Sequence, residues 1–234
     1  MVVGISLSMS SLPLLRNHAV ESKWSLWVKE ASTMVKLTIL LSSAATIGLI
    51  AVMPWMNLTL FKDQHGTQTL QVMVVFLMSL IYCLHTLVQS REAKDYTIIY
   101  LAFGLIFKAT LNKIAVHHLG IMGSSIMTVL SLLLILICML VQMNKEVVKS
   151  VYKDHFGLQV GLIVLNVYGS VTGVLSLIQH VVSLEGRLFN LILTLIGVIV
   201  GVVVFALLLK RLNILNADEV EQFPLLNKLE KKRK

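Results

Sequence analysis

Six long apolar runs constrain the fold of this chain more than any other feature of its sequence. Five of them contain no charged residue, and each exceeds the roughly 20 residues that a helix needs to cross a hydrocarbon core of about 30 Å. With 56% hydrophobic and 14% charged residues and a mean hydropathy of +0.84, the chain is too apolar for an ordinary soluble domain. The runs cover residues 37–61, 69–90, 96–116, 120–143, 156–183 and 188–209.

A seventh apolar stretch, residues 2–15, opens the chain. Its 14 residues are too few to cross a bilayer, so it predicts a helix that is cut off at its start. A signal peptide is the alternative, but the stretch lacks a basic segment before it and a small-residue cleavage motif after it. We therefore predict an all-α polytopic membrane bundle of about seven hydrophobic segments, with a membrane domain over 1–211 and a basic cytoplasmic tail over 212–234.

The basic residues are distributed unevenly between alternate loops. When successive loops are assigned in turn to the two membrane faces, sixteen of the twenty Lys and Arg residues fall on one face and three on the other. Cytoplasmic loops of membrane proteins carry the excess of Lys and Arg, which predicts a cytoplasmic C-terminus and an outside Met1. The net charge of +8 thus reports membrane topology, and no nucleic-acid partner is predicted.

The segment 20–35, just before the second apolar stretch, has apolar residues at helical spacing and charged residues on its other faces. Trp24 and Trp27 fit the aromatic belt at a membrane–water interface. The pattern predicts an amphipathic helix that lies in the interface and anchors the following span. A helix that binds a partner is the alternative interpretation.

None of the twelve acidic residues lies inside an apolar run. Intramembrane aspartyl proteases, carboxylate proton relays and buried divalent-metal sites need carboxylates at membrane depth, so the sequence predicts no metal site, no organic cofactor and no enzyme of these classes. Cys83 and Cys138 lie within apolar runs and predict no disulfide. His85 is deep in a run, where a lone histidine predicts an interhelical hydrogen bond.

Lys108 lies deep inside the run 96–116, with Asn112 one turn further along on the same helix face. An ionisable group at this depth costs at least a few kcal/mol unless it meets water or a partner. One interpretation is a cation that faces a polar cavity and handles an anionic headgroup. The other is a lysine that snorkels to the outer interface, where Lys113 also lies.

Three pairs of glycines recur at four-residue spacing within the last two runs. Such spacing lets helix backbones approach closely, which predicts ordinary helix packing, with a lipid-binding groove as the alternative. The pairs are Gly157 and Gly161, Gly169 and Gly173, and Gly197 and Gly201.

Several stretches resemble one transporter family. SLSMSSLPLLRNHA, LIAVMPWMNLTLF and the tail LNADEVEQFPLLNKLEKK are similar to the C-terminal half of the bacterial oligosaccharide flippases of the stage V sporulation protein B and MurJ-like branch, within the multidrug/oligosaccharidyl-lipid/polysaccharide exporter superfamily. The strongest similarity is in LIFKATLNKIAVHHLGIMGSSIMTVLSLLL, which resembles a family pattern of Lys, Leu-Asn, a short outside turn and a Gly-x-x-Gly run. The matching positions are Lys108, Asn112, Gly120, Gly123, Ser124 and Ser125.

This resemblance implies that the chain supplies helices eight to fourteen of a fourteen-helix transporter and lacks the N-terminal lobe. Such a transporter moves a lipid-linked oligosaccharide or peptidoglycan precursor, of the lipid II type, outward across the bacterial cytoplasmic membrane by alternating access. The implied partners are membrane lipid, that precursor and the missing lobe. The first helix would line the cavity, so the implied candidates besides Lys108 and Asn112 are Ser6, Ser10 and Ser11, although serines more often bond back to their own helix.

Two other classes of function remain open from the residues alone. One is a small, complete multipass membrane protein that binds or regulates a partner. The other is a multipass membrane enzyme with its active site in the loops. The resemblance favours the transporter. A flippase moves its substrate without changing it chemically, so the resemblance implies no enzyme activity.

Overall fold

The computed structural model describes residues 2–61, 68–91, 96–143, 145–151, 156–181 and 186–212. This part of the chain forms eight α-helices joined by short connections. The tail predicted over 212–234 lies outside the described residues except for Leu212, which ends the last helix. The helices are α1 (Val2–Val20), α2 (Trp24–Phe61), α3 (Gln68–Ser90), α4 (Thr97–Leu119), α5 (Ile121–Gln142), α6 (Lys145–Val151), α7 (Phe156–Val181) and α8 (Arg187–Leu212).

Six of the described helices, α2, α3, α4, α5, α7 and α8, are long and apolar enough to cross a membrane. Their apolar runs satisfy backbone hydrogen bonds within the helix, which is what hydrocarbon requires. The described residues contain no strand, and the prediction of an all-α polytopic membrane bundle is confirmed. Among the spans after α2, the helix ends lie within three residues of the predicted segments wherever both are described.

The first two helices differ from the prediction. α1 extends past the predicted end at 15 to Val20, because the polar residues after Leu15 continue the same helix. α2 is a single helix of 38 residues, about 57 Å long at the α-helical rise, so the predicted interfacial segment and the span 37–61 are continuous. This length is nearly twice the thickness of a hydrocarbon core.

The apolar stripe predicted to face the membrane interface is only partly exposed at the first turns of α2, where Trp24 remains 39% exposed. Trp27, Ala31, Met34 and Val35 are buried against other helices of the chain. An apolar stripe can face a bilayer interface or a neighbouring helix with the same periodicity, and here neighbouring helices cover it. The first turns of α2 are therefore part of the protein core.

α2 is the central helix of the bundle and contacts α1, α3, α6, α7 and α8. On one side, the core joins α1, α2, α3, α5, α6 and the first turn of α7, with Trp27 and Met139 among its largest fully buried side chains. On the other side, a second core joins α2 to α7 and α8 through residues such as Val52 and Val171. α4 is peripheral: it packs on α5, and its buried residues are Thr97 and Gly104.

The three glycine pairs have different environments. A β-carbon at Gly197 would lie 2.6 Å from Cγ1 of Val52 and 2.9 Å from Cδ1 of Leu175, so this glycine permits α8 to pack closely on α2 and α7. Ordinary helix packing is thus confirmed for the pair in α8. At each of the four glycines of α7, a β-carbon would have no atom of a neighbouring helix within 4 Å, so these glycines do not mediate helix packing within the described chain.

Candidate functional site

Lys108 lies at the midpoint of α4. Because α4 ends at Leu119 and begins at Thr97, Lys108 is eleven residues from each end, which corresponds to about 16 Å of helix on either side. This distance exceeds the reach of a lysine side chain. Lys108 therefore lies in the middle of this spanning helix, with Lys113, His117 and His118 nearer to its C-terminal end.

The side chain of Lys108 is half-buried on the face of α4 that approaches α5. Gly104 and Ala115 mark that face, since Gly104 lies against Ile135 and the backbone of Ala115 lies against Gly123. Helical spacing places Lys108 on the same face, one turn from Gly104. Within the described residues Lys108 has no ion pair or side-chain hydrogen bond. An uncompensated cation at this position is costly, and an anionic ligand would offset the cost.

Further polar groups lie about one turn from Lys108. The Oδ1 atom of Asn112 is buried and accepts no hydrogen bond from the described part of the chain. On α5, the hydroxyl of Ser125 accepts a long hydrogen bond, 3.5 Å, from the side-chain amide of Gln71 on α3. Because Ala115 faces Gly123, Asn112 and Ser125 lie at nearly the same level of the α4–α5 pair. Asn112 and Lys108 thus form a polar layer on this face of α4, while Ser125, two residues from Gly123 in α5, is directed toward Gln71 on α3.

The serines of α1 are not brought to this layer. Ser6 and Ser10 are exposed and Ser11 is half-buried, and the hydroxyl of Ser10 donates a hydrogen bond of 3.0 Å to the carbonyl of Leu7 in its own helix. α1 packs on α2 and α3, whereas α4 packs on α5. The chain therefore separates the predicted candidates into a group in the middle of α4 and the serines of α1.

His85 makes the interhelical contact that the sequence predicts. Its Nδ1 atom is 3.1 Å from the hydroxyl of Thr97, which joins α3 to the first turn of α4. This contact confirms the interpretation of His85 as a hydrogen-bonding residue. It also fixes α4, whose remaining packing is mainly against α5, to the central part of the bundle.

A second cluster, which the sequence did not predict as a site, lies where α2 begins and α3 ends. The indoles of Trp24 and Trp27 are stacked, with centroids 4.9 Å apart and planes 10° from parallel. Each indole N–H donates a hydrogen bond, from Trp24 to Oε2 of Glu146 at 2.8 Å and from Trp27 to the hydroxyl of Ser90 at 3.1 Å. These bonds fix both rings; we call the stacked pair the tryptophan shelf.

Arg91 lies on the tryptophan shelf. Its guanidinium carbon is 4.6 Å from the ring centroid of Trp24 and 5.3 Å from that of Trp27, which is cation–π geometry. An open pocket adjoins it, with Leu84, Val88 and Met139 among its lining residues. The sequence identified Trp24 and Trp27 as candidates for the aromatic belt. It gave no indication that Arg91 would contact them, since Arg91 entered only the count of basic loop residues.

The fold and these sites define a multi-pass helical membrane protein. No protein-family profile matches the chain, and no solved structure matches it either. A curated relative is the uncharacterized membrane protein YabM of Bacillus subtilis (strain 168), which is 26% identical over 132 residues. The alignment covers 56% of this chain and 25% of the relative, so the chain matches about a quarter of that protein's length.

Proposed function

We propose that this chain is the C-terminal half of a flippase that moves a lipid-linked oligosaccharide or peptidoglycan precursor across the cytoplasmic membrane. The observation that carries the proposal is the position of Lys108, a cation without a protein partner in the described residues, at the midpoint of α4. Precursors of this class carry a phosphate linkage between an apolar chain and a hydroxyl-rich sugar. A cation in the middle of a spanning helix, with the amide of Asn112 one turn away, has the matching chemistry.

The outer face of α4 is apolar, which suits contact with lipid or with a further protein lobe. Apart from its contact with α5 the helix is largely exposed, with side chains such as Phe103 and Ile106 more than half exposed. Transporters that rock two lobes around a central site place the substrate between the lobes.

The second candidate is a binding or regulatory membrane protein without transport activity. The open glycine face of α7 favours it, because small residues that meet nothing within the described chain are suited to close contact with a helix of another protein. The two candidates differ in whether the midplane lysine has a ligand.

Binding of a fluorescent undecaprenyl-pyrophosphate-linked sugar tests the proposal. The chain is reconstituted in nanodiscs and titrated as wild type, as Lys108→Gln and as Lys113→Gln. Loss of a charge-assisted hydrogen bond in Lys108→Gln should weaken binding by about tenfold or more. Lys113→Gln removes the same charge from an exposed position of the same helix and should change the affinity less than about twofold.

Transport is then measured in vesicles as the fraction of labelled precursor that dithionite cannot bleach. The chain is reconstituted alone and together with the polypeptide encoded immediately upstream of it. Movement of the precursor that needs Lys108 supports the flippase. Equal binding by the wild type and Lys108→Gln, or no binding to the wild type, contradicts it and favours the second candidate.

A further inference from the structure

The tryptophan shelf and the pocket beside it form a site separate from the midplane lysine. The pocket is lined mainly by apolar and aromatic side chains, and its polar lining residues are Arg91 and Gln142. It lies where α2 begins and where α3 and α5 end, which places it near the ends of the spans rather than in their middle. An apolar pocket with one cation at its edge has the chemistry of a site for an amphiphilic anion.

In the described part of the chain the N–H groups of Arg91 have no acceptor, which leaves them available for a ligand. A guanidinium that rests on aromatic rings is held by its face, and the donors at its edge remain free. Within the described ranges Arg91 forms no ion pair, and its guanidinium packs on the two indoles. The shelf itself is fixed by the hydrogen bonds of both indole N–H groups. Arg91 is thus held in position before any anion arrives.

The other charged groups of this end determine which anion is favoured. Lys145 and Lys149 are exposed on α6, on either side of Glu146 in the sequence. The side-chain nitrogen of Lys23 forms an ion pair with Glu21 at 2.7 Å. Glu146 is the acidic group in contact with the shelf, because it accepts the hydrogen bond of Trp24. This carboxylate opposes anion binding, so an occupant must gain from the apolar pocket as well as from Arg91.

We propose that this site binds an anionic phospholipid, with the phosphate on Arg91 and part of one acyl chain in the pocket. Tryptophans and basic residues near helix ends lie at the level of lipid headgroups. A free phosphate ion would gain nothing from the apolar lining, whereas a lipid uses both parts of the site. The site is independent of the proposed transport of a precursor at Lys108.

Quenching of tryptophan fluorescence by brominated lipids tests this site. Trp55→Phe removes the third tryptophan, so that Trp24 and Trp27 report alone. The protein is reconstituted at about 150 mM salt with increasing fractions of phosphatidylglycerol or phosphatidylcholine that carry brominated acyl chains. We expect half-quenching at an about fivefold lower fraction of brominated phosphatidylglycerol, as one favourable basic contact to an anionic lipid implies.

Three variants assign the preference to named groups. Arg91→Gln should reduce the preference for phosphatidylglycerol to about one, since the phosphate loses its cation. Lys149→Gln removes an equal charge from outside the pocket and should retain the preference for phosphatidylglycerol. Glu146→Gln still accepts the hydrogen bond of Trp24 but carries no charge, and should leave the preference equal or higher.

Several results would overturn the proposal. Equal quenching of the wild type by both lipids excludes an anion preference. This comparison does not depend on whether a substituted shelf or pocket folds correctly. A preference that survives in Arg91→Gln excludes Arg91 as the phosphate ligand. A preference that falls in Glu146→Gln contradicts the repulsion assigned to the Glu146 carboxylate. Relief of quenching by inorganic phosphate alone would show a site for a free anion instead of a lipid.

Discussion

The backbone carbonyl of Ala115 in α4 lies so close to Gly123 in α5 that a β-carbon at position 123 would overlap it. Backbone atoms cannot move aside as a flexible side chain can. We therefore expect Gly123→Ala to separate the adjoining turns of the α4–α5 pair and to lower the free energy of unfolding by about 1–3 kcal/mol. Denaturation in mild detergent with increasing dodecyl sulfate measures the change.

Gly169→Ala is the matched control for this substitution. Gly169 is also in a spanning helix, but a β-carbon there has no atom of a neighbouring helix within 4 Å. Alanine favours helix over glycine, so this control should be neutral or stabilising by up to about 1 kcal/mol. Equal losses for the two variants would mean that the contact between Ala115 and Gly123 does not determine the packing of the pair.

Lys108→Met is expected to stabilise the protein while it weakens precursor binding. Methionine has a similar length and removes a charge from the middle of a spanning helix, which should raise the free energy of unfolding by about 1–3 kcal/mol. Lys113→Met, at an exposed position, should stay within about 0.5 kcal/mol of the wild type. A loss of stability in Lys108→Met, measured by the same denaturation, would assign Lys108 a structural role.

The tryptophans of the shelf should contribute unequally to stability. Trp27 is 2% exposed and donates to the buried Ser90, whereas Trp24 is 39% exposed. Trp27→Phe removes a buried hydrogen bond and leaves a space, so it should cost about 1–3 kcal/mol. Trp24→Phe should cost less than about 1 kcal/mol, since solvent compensates for the lost bond. Thermal unfolding in detergent compares them, and equal effects would contradict the difference in burial.

The positive-inside rule gives a prediction about orientation. The turn after α1 and the end of α4 lie at opposite ends of the bundle, and the rule places the first in the cytoplasm. In a background without Cys83 and Cys138, Ser22→Cys should react with an impermeant maleimide only in opened cells, and His118→Cys should react in intact cells. The reverse pattern would show that the chain has the opposite topology.

Hydropathy predicted the spanning helices well because one requirement governs each of them: in hydrocarbon, backbone N–H and C=O groups must be hydrogen-bonded within the segment. The run 69–90, for example, became α3 with one additional residue at its start. The helices that cover part of the stripe at the start of α2 were not predicted, because its amphipathic pattern fits either a bilayer surface or a helix neighbour. No local feature near Trp24 shows which of the two covers the stripe.

The candidate sites were predicted only in part. Lys108 and Asn112 were identified from the sequence because charge and amide groups are conspicuous inside an apolar run. The contact of Arg91 with the shelf joins residues more than sixty positions apart, and periodicity within one helix carries no information about it. The glycines of α7 and α8 have the same spacing in sequence and differ only in whether another helix lies opposite.

The sequence by itself determined that the chain is a bundle of membrane-spanning helices, because transfer of apolar side chains and the cost of unsatisfied backbone groups act on each run separately. Only the tertiary structure decided which helix faces meet, since that depends on shape complementarity between distant segments. It placed α2 at the centre, left Lys108 without a partner in the described residues and set Arg91 on Trp24.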